Sequence, residues 1–336
     1  MAIKALSWMV RVFEPPVYCY HEIVHNRLVV DRFRELGVVF VDDIDDVPDG
    51  APLMLSAHGS APEVVTAARD RDRFVVNAVC PLVTKVHHEA KVRAGKGFTV
   101  LYVGHAGHDE AAGTLAVAPD AIRLVEHEDD LATVLPTVAD PSKVALLAQT
   151  TLSMHDWEGI ADRARDEFPE LWTAARNDLC FATTNRQAAL QAIAADADAI
   201  VVIGSANSSN TLALAKVARA AGCATVLRID GPDELDDAAL GTDRLKDARV
   251  VGVTAGASAP EDLVQAVIAR LAPTDGVVPV HVTEEDEYFP PPRELRELMA
   301  TLDVVAPVLF GGPAPTASGG SFTDDRRVDA SEVLAR

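Results

Sequence analysis

Cysteine and aromatic side chains are scarce in this chain, which has four cysteines and 5% Phe, Trp and Tyr over 336 residues. Four thiols are too few for a disulfide scaffold, so a reducing cytoplasm is the expected setting. No CxxC pair or cluster of Cys and His is present, which argues against a structural zinc site. No apolar run reaches the roughly 18 residues of a membrane span, so none is expected. The apolar stretch at Met1–Phe13 is broken by Lys4 and Arg11 and does not read as a signal peptide. Basic residues are outnumbered 30 to 51, for a formal net charge of -21. A field of that sign disfavours a general nucleic-acid partner, although helix N-termini and neutral donors can still hold one small anion. Neither a P-loop nor a Gly-x-Gly-x-x-Gly fingerprint occurs, so a nucleotide site has no support.

What the chain does have is 49% hydrophobic residues, mostly Val, Ala, Leu and Ile, enough for two or three small α/β modules with their own cores. One pattern recurs: a short β-branched run, a small polar loop, then a helix. It appears at 52–60, 99–108, 143–151, 199–210 and 249–258. Unbroken apolar runs of this length suit strands buried on both faces, and strand–helix alternation predicts parallel sheets. Helical patterns lie between, at 211–221 and 260–271. Ser60-Ala-Pro-Glu63 and Ser258-Ala-Pro-Glu261 read as capping boxes, with a Ser N-cap and a Glu three residues on. The polar loops then sit at strand C-terminal ends, where open α/β sheets bind ligands. Five loops rich in Ser, Thr, Asn, His and Gly suggest one shared pocket, although ordinary βα turns favour some of the same residues. Breaks near 80, 177 and 272 give modules 1–80, 81–177 and 178–272, followed by an extension 273–336. From about 307 the chain is Gly-, Pro- and Ser-rich and reads as a disordered tail.

Cys80 and Cys180 each open a Thr-rich polar stretch, Cys80-Pro-Leu-Val-Thr-Lys and Cys180-Phe-Ala-Thr-Thr-Asn. That placement suggests paired metal ligation or redox chemistry, against the commoner fate of a free cysteine as a small buried hydrophobe. Cys19, within Val17-Tyr-Cys-Tyr20, and Cys223, after Gly222, read as core. His25, His58, His105 and His108 lie in or beside strand-end loops, and together would cradle an anion. Glu110 follows closely. It is either a solvated first-turn residue or, in a closed pocket, a carboxyl raised into proton-donating range. Ser208, Ser209, Asn210 and Ser258 offer uncharged donors suited to a phosphate or diphosphate, and Thr150 and Thr151 could touch a substrate hydroxyl.

Taken together, several segments resemble the 4-hydroxy-3-methylbut-2-enyl diphosphate reductases (the IspH/LytB family). They are His21-Glu-Ile-Val-His-Asn26, Ser56-Ala-His-Gly59, Cys80-Pro-Leu-Val-Thr-Lys-Val-His87, Gly104-His-Ala-Gly-His108, Gln149-Thr-Thr-Leu-Ser153, Cys180-Phe-Ala-Thr-Thr-Asn-Arg-Gln187, Asn207-Ser-Ser-Asn210 and Gly252-Val-Thr-Ala-Gly-Ala-Ser-Ala-Pro260. They fall in family order over residues 1 to about 300. The resemblance implies three α/β modules in a trefoil around a central [4Fe-4S] cluster, each giving one cysteine. It implies reductive removal of the substrate hydroxyl, yielding isopentenyl and dimethylallyl diphosphate. By motif match Cys80 and Cys180 would be cluster ligands. His25, His58, His108, Ser208, Ser209, Asn210 and Ser258 would hold the diphosphate, with Glu110 relaying protons and Thr150 placing the hydroxyl. No nicotinamide or flavin site is visible, so electrons would come from a protein such as ferredoxin or flavodoxin.

The match has departures. The family's first cysteine precedes a helix like that at Ala2–Leu6, so Met1 is expected to be an internal methionine, with the true start upstream. A second Glu is often found at the position of Ala112, and Ser-Asn-Arg-Leu is common where this chain has Thr-Leu-Ala-Leu after Asn210. A rival reading is a truncated, cluster-free relative that binds diphosphates in regulation. A weaker one is a phosphate-ester hydrolase using His and Glu.

Overall fold

Apolar runs with β-branched residues at their centres become the middle strands of three separate parallel sheets. The structure, a computed structural model, describes residues 1–71, 73–175, 177–238, 241–284 and 287–309. The first sheet follows α1 (Ala2–Val12). It contains β1 (Val17–Tyr20), β2 (Val38–Val41), β3 (Leu53–Leu55) and β4 (Val75–Asn77), with α2 (Arg27–Glu35) and α3 (Pro62–Arg69) as connections. The second follows α4 (Pro81–Gly95). It contains β5 (Thr99–Val103), β6 (Ile122–Val125), β7 (Val144–Ala148) and β8 (Trp172–Thr173), connected by α5 (Asp109–Val117), α6 (Asp130–Val134) and α7 (Met154–Glu167). The third follows α8 (Phe181–Ala194). It contains β9 (Ala199–Ile203), β10 (Val226–Ile229) and β11 (Val251–Ala255), with α9 (Ser209–Ala220) between β9 and β10. Two helices follow, α10 (Glu261–Leu271) and α11 (Arg293–Leu309).

Strand order repeats: β2-β1-β3-β4, β6-β5-β7-β8 and β10-β9-β11. Every pairing is parallel. The three-sheet α/β class expected from the sequence is therefore the fold observed. Alternate residues of one strand feed opposite cores. In the second sheet Leu101, Val103, Leu146 and Ala148 pack on one face with α7, while Val100, Tyr102, Ala145 and Leu147 pack on the other with α4. In the third, Ile200 and Val202 meet α8 and α9, while Val201 and Ile203 meet α10. These side chains are almost fully buried, each Val, Leu and Ile among them contributing about 1.5–3 kcal/mol.

The chain divides into two compact units. One comprises Met1–Val24, Val30–Cys80 and the chain from Glu287; the other His25–Val29 and Pro81–Asp286. In the first, α11 packs on β4, burying Leu295 and Met299. The tail expected to be disordered from about 307 falls almost wholly outside the described residues, and α11 carries helix as far as Leu309.

Neither expected capping box forms. Helix α3 begins at Pro62 with Ala61 as its N-cap, and α10 begins at Glu261 after Pro260, without a side-chain cap at either. In α3, Pro62 takes the first helical position, which its fixed φ suits, and in α10 Pro260 is itself the N-cap, so each helix starts past the serine. Ser258 instead donates through Oγ to the carbonyl oxygen of His25 at 3.3 Å.

Candidate active site

In each sheet the first strand lies between the second and the third, so the strand order reverses direction there. Ligands of open parallel sheets bind at that switch point, outside the strand C-terminal ends. The loops leaving the first and third strands of each sheet are 21–26 with 56–61, 104–108 with 149–153, and 204–208 with 256–260. These segments contain the His-, Ser-, Thr- and Gly-rich motifs of the sequence, so the fold puts every polar loop at a ligand-binding position.

Within the second unit the loops form one connected site. Ser208 caps α9, accepting the Thr211 N–H through Oγ. The first turn of α9 leaves backbone donors without helical partners, which makes it a ready anion site. Asn210, on that turn, is 4% exposed, yet neither its amide nitrogen nor its amide oxygen has a hydrogen-bond partner among the described residues. A buried side-chain amide left unpaired at a helix start points to a ligand that completes it. Gln149 ties the second sheet to this turn. Its Oε1 accepts the His105 N–H, and its Nε2 donates to Thr151 Oγ1 and to Ser209 Oγ at 3.1 Å. Ser205 Oγ accepts the Arg27 N–H at 2.8 Å, fixing the segment that carries His25. Close approach is also required at Gly204, whose φ is +146° and where a Cβ would lie 2.3 Å from Thr211 Oγ1.

The imidazoles of His25 and His108 meet edge to face at 5.0 Å between ring centres, and His25 Nε2 lies 3.7 Å from Asp109. His108 caps α5, its Nδ1 accepting the Glu110 N–H at 3.1 Å. The ring proton of neutral His108 therefore sits on Nε2, ready to donate. Burial, with His25 and His105 nearby, lowers its pKa to about 4.

Glu110 is 1% exposed, ruling out the solvated alternative. Its carboxyl accepts the Thr150 N–H at 2.7 Å and the Thr150 hydroxyl at 3.0 Å. Burial raises its pKa to about 7 despite those two bonds, and the nearby Asp178 charge adds to the effect. Asp178 is itself buried, accepting the Ala148 N–H and pairing with Lys85 at 3.3 Å. The end of β7 is thus a hub, because Thr150 also accepts the Cys180 N–H through its carbonyl at 2.9 Å.

The two motif cysteines occupy equivalent places. Cys80 follows β4 and precedes α4; Cys180 follows β8 and is the N-cap of α8. Cys80 donates its N–H to Ala57 beyond β3, as Cys180 does to Thr150 beyond β7. Both are partly exposed, and helix N-termini favour thiolate charge. Cys19 and Cys223 are core, as expected. Burial pushes the Cys19 thiol far up, and Cys223 Sγ contacts the carbonyl oxygens of Ala197 and Thr225. A soft iron–sulfur centre takes thiolates, and among the described cysteines Cys80 and Cys180 fit that role.

The structure gathers His25, His108, Glu110, Thr150, Cys180, Ser208, Ser209, Asn210 and Ser258 within the second unit. His58 and Cys80 stand in the first unit, half-buried beyond β3 and β4. Sequence reasoning missed Gln149, Asp178 and Lys85 as site residues. A polar residue closing the apolar run Val144–Ala148 was the available signal for Gln149.

Fold and site together define an α/β protein of three parallel sheets whose second unit gathers a buried carboxyl, an unpaired amide at a helix start and a helix-start cysteine at its strand-end loops. Residues 1–272 match the family described as LytB protein, and the chain belongs to that family. It is 46% identical to the 4-hydroxy-3-methylbut-2-enyl diphosphate reductase of Rhodopirellula baltica, over 89% of this chain and 92% of that protein. It is 44% identical to the reductase of Paracoccus denitrificans, over 88% and 92%. Among solved structures it resembles the E-1-hydroxy-2-methyl-but-2-enyl-4-diphosphate reductase of Plasmodium falciparum, with a TM-score of 0.81 and 29% identity, covering 89% of this chain and 93% of that one. No helix among the described residues is long and apolar enough to cross a membrane.

Proposed function

We propose that this chain reduces 4-hydroxy-3-methylbut-2-enyl diphosphate, using two electrons and two protons to expel the hydroxyl as water and give isopentenyl and dimethylallyl diphosphate. The observation that carries the reading is the convergence on Thr150 of a buried carboxyl raised to about 7 and the Cys180 backbone, beside an unpaired amide at an anion-binding helix start. The relatives' names favour this reductase over a ligand-binding regulator.

The diphosphate would be held by His25, His58 and His108, by Ser208, Ser209 and Asn210 at the start of α9, and by Ser258. The serine hydroxyls and the Asn210 amide are neutral donors, which suit a dense anion in a chain of net charge -21 because they need no compensating buried charge. Glu110 would hold the transferable proton. When protonated it can donate to Thr150 Oγ1, whose own hydrogen then turns toward the substrate hydroxyl. Cys80 and Cys180 would hold a [4Fe-4S] cluster, which when bound supplies the electrons. Ferredoxin or flavodoxin would deliver them, and the setting would be the cytoplasm.

The test is anaerobic reconstitution with iron and sulfide, followed by assay with a reduced viologen dye and substrate. Formation of the two C5 diphosphates is expected. A reconstituted, substrate-binding protein that forms neither product would overturn the proposal.

A further inference from the structure

A cavity of about 400 Å³ opens beside the anion-binding turn, lined by His105, His108, Asp156, Ser209, Ala213 and Lys216 among others. Ser209, Ala213 and Lys216 follow one another at helical steps of four and three residues, so one face of α9 forms a continuous wall from the anion-binding turn outward. Lys216 is the one Lys or Arg among the described lining residues. Its Nζ lies 2.5 Å from Asp156 Oδ1, which sits on the first turn of α7. The pair spans helices of two different sheets. Lys216 is 61% exposed and Asp156 31%, so the ammonium remains accessible from solvent. Burial raises the Asp156 pKa, but Lys216 and Ser153 outweigh it and hold the carboxyl below its usual range. Asp156 is therefore ionised.

The surroundings leave Lys216 with a distinctive position. The chain's net charge is -21, so its long-range field opposes approach of a diphosphate. His108 is neutral at neutral pH. One fixed cation stands on the cavity wall, and its partner is a carboxylate that a polyanion can displace. We propose that Lys216 is an anion-recruiting residue for the substrate diphosphate, exchanging Asp156 for the incoming anion at the cavity mouth. This rests on the diphosphate reading above and adds a recognition residue that the sequence motifs do not include. A single cation acting on a polyanion across roughly 10 Å of high-dielectric rim supports about a five-fold gain in affinity at low salt. The gain should fade once the Debye length falls to a few ångströms.

The test is calorimetric titration of inorganic diphosphate into the full chain and into Lys216→Met and Asp156→Asn, at low and high salt. Both substitutions break the same ion pair, so a clamp between helices would make them behave alike. Recruitment makes them diverge. Lys216→Met should bind about five-fold more weakly at low salt, with the difference vanishing at high salt, whereas Asp156→Asn should bind at least as tightly as the unaltered chain. Unchanged affinity in Lys216→Met, or weakening in Asp156→Asn, would overturn the inference while leaving the diphosphate site intact. No binding by the unaltered chain would overturn the diphosphate reading itself, and the inference with it. Substrate kinetics give a second readout: KM should rise in Lys216→Met with kcat unchanged.

Discussion

Replacing Glu110 by glutamine isolates the buried carboxyl with almost no change of shape. The amide oxygen can still accept the Thr150 N–H, now made at 2.7 Å, and the amide nitrogen can donate to the Thr150 hydroxyl, now 3.0 Å away. What disappears is the titration. A carboxyl raised from 4.5 to about 7 favours the folded state in its protonated form. Its contribution is fully present below pH 4.5, declines as pH rises, and is gone above about 7, because the fold must then bury a charge. Integrated over that window, the linkage amounts to about 3 kcal/mol. Urea unfolding of both proteins at pH 5, 6, 7 and 8 measures it directly. Other groups titrate in the same range, but they are common to both proteins and cancel in the difference. Glu110→Gln should gain stability relative to the unaltered chain as pH rises, by a few kcal/mol between pH 5 and 8. Its turnover should fall by at least a hundred-fold, the usual scale for a lost general acid. The fall in activity above about pH 7 should be absent from whatever rate remains. Unfolding curves that stay parallel across the pH range would refute a raised carboxyl, and full turnover in the variant would remove Glu110 from proton delivery.

Cys80→Ser and Cys180→Ser should each abolish iron and acid-labile sulfide binding after anaerobic reconstitution, and full iron in either variant would count against that ligand. Asn210→Ala should weaken inorganic diphosphate binding about ten-fold, the scale of a lost hydrogen bond to a charged ligand. Because the Asn210 amide has no partner among the described residues, the unfolding midpoint of that variant should not fall, and equal affinity would show the amide faces no anion. Gly204→Ala should destabilise by about 2–4 kcal/mol, since it combines strained backbone with a Cβ 2.3 Å from Thr211 Oγ1. Adding Thr211→Ala should restore only part of that loss in urea unfolding, because the φ of +146° remains.

The central strands were legible because burial on both faces leaves an unbroken apolar run. Val100–Val103, Val144–Ala148 and Ala199–Ile203 are examples. The sequence pattern did not single out β2 and β6. These strands are sheet edges with mixed burial, as in Ile122–Val125, where Arg123 and Leu124 are half-buried. The missed site residues share a different cause. Asp178 and Lys85 stand 93 positions apart in the chain, and only the fold makes them a pair. Gln149 acts through bonds to His105 and Ser209 that no spacing in the sequence encodes. The misread capping boxes were a local competition, in which proline at the helix start set the boundary ahead of a favourable Ser–Glu spacing.

The repeated strand order explains why motifs scattered over the chain can serve one chemistry. A sheet ordered second, first, third has one crevice, and both loops that border it follow strands fixed on either side by parallel pairing. Repeating that sheet supplies three such loop pairs without any loop having to be long. The cysteines lie outside the crevices, one step further along the repeat. Each follows a fourth strand and opens the helix that leads to the next sheet. Cys80 and Thr99 are as far apart in the chain as Cys180 and Ala199. Each cysteine backbone is fastened to the loop after the third strand of its own sheet, at Ala57 and at Thr150. In the second sheet that same Thr150 holds Glu110. A shift in the loop at Thr150 would therefore disturb the Cys180 backbone and the Glu110 carboxyl together, so the two positions are coupled mechanically through one residue.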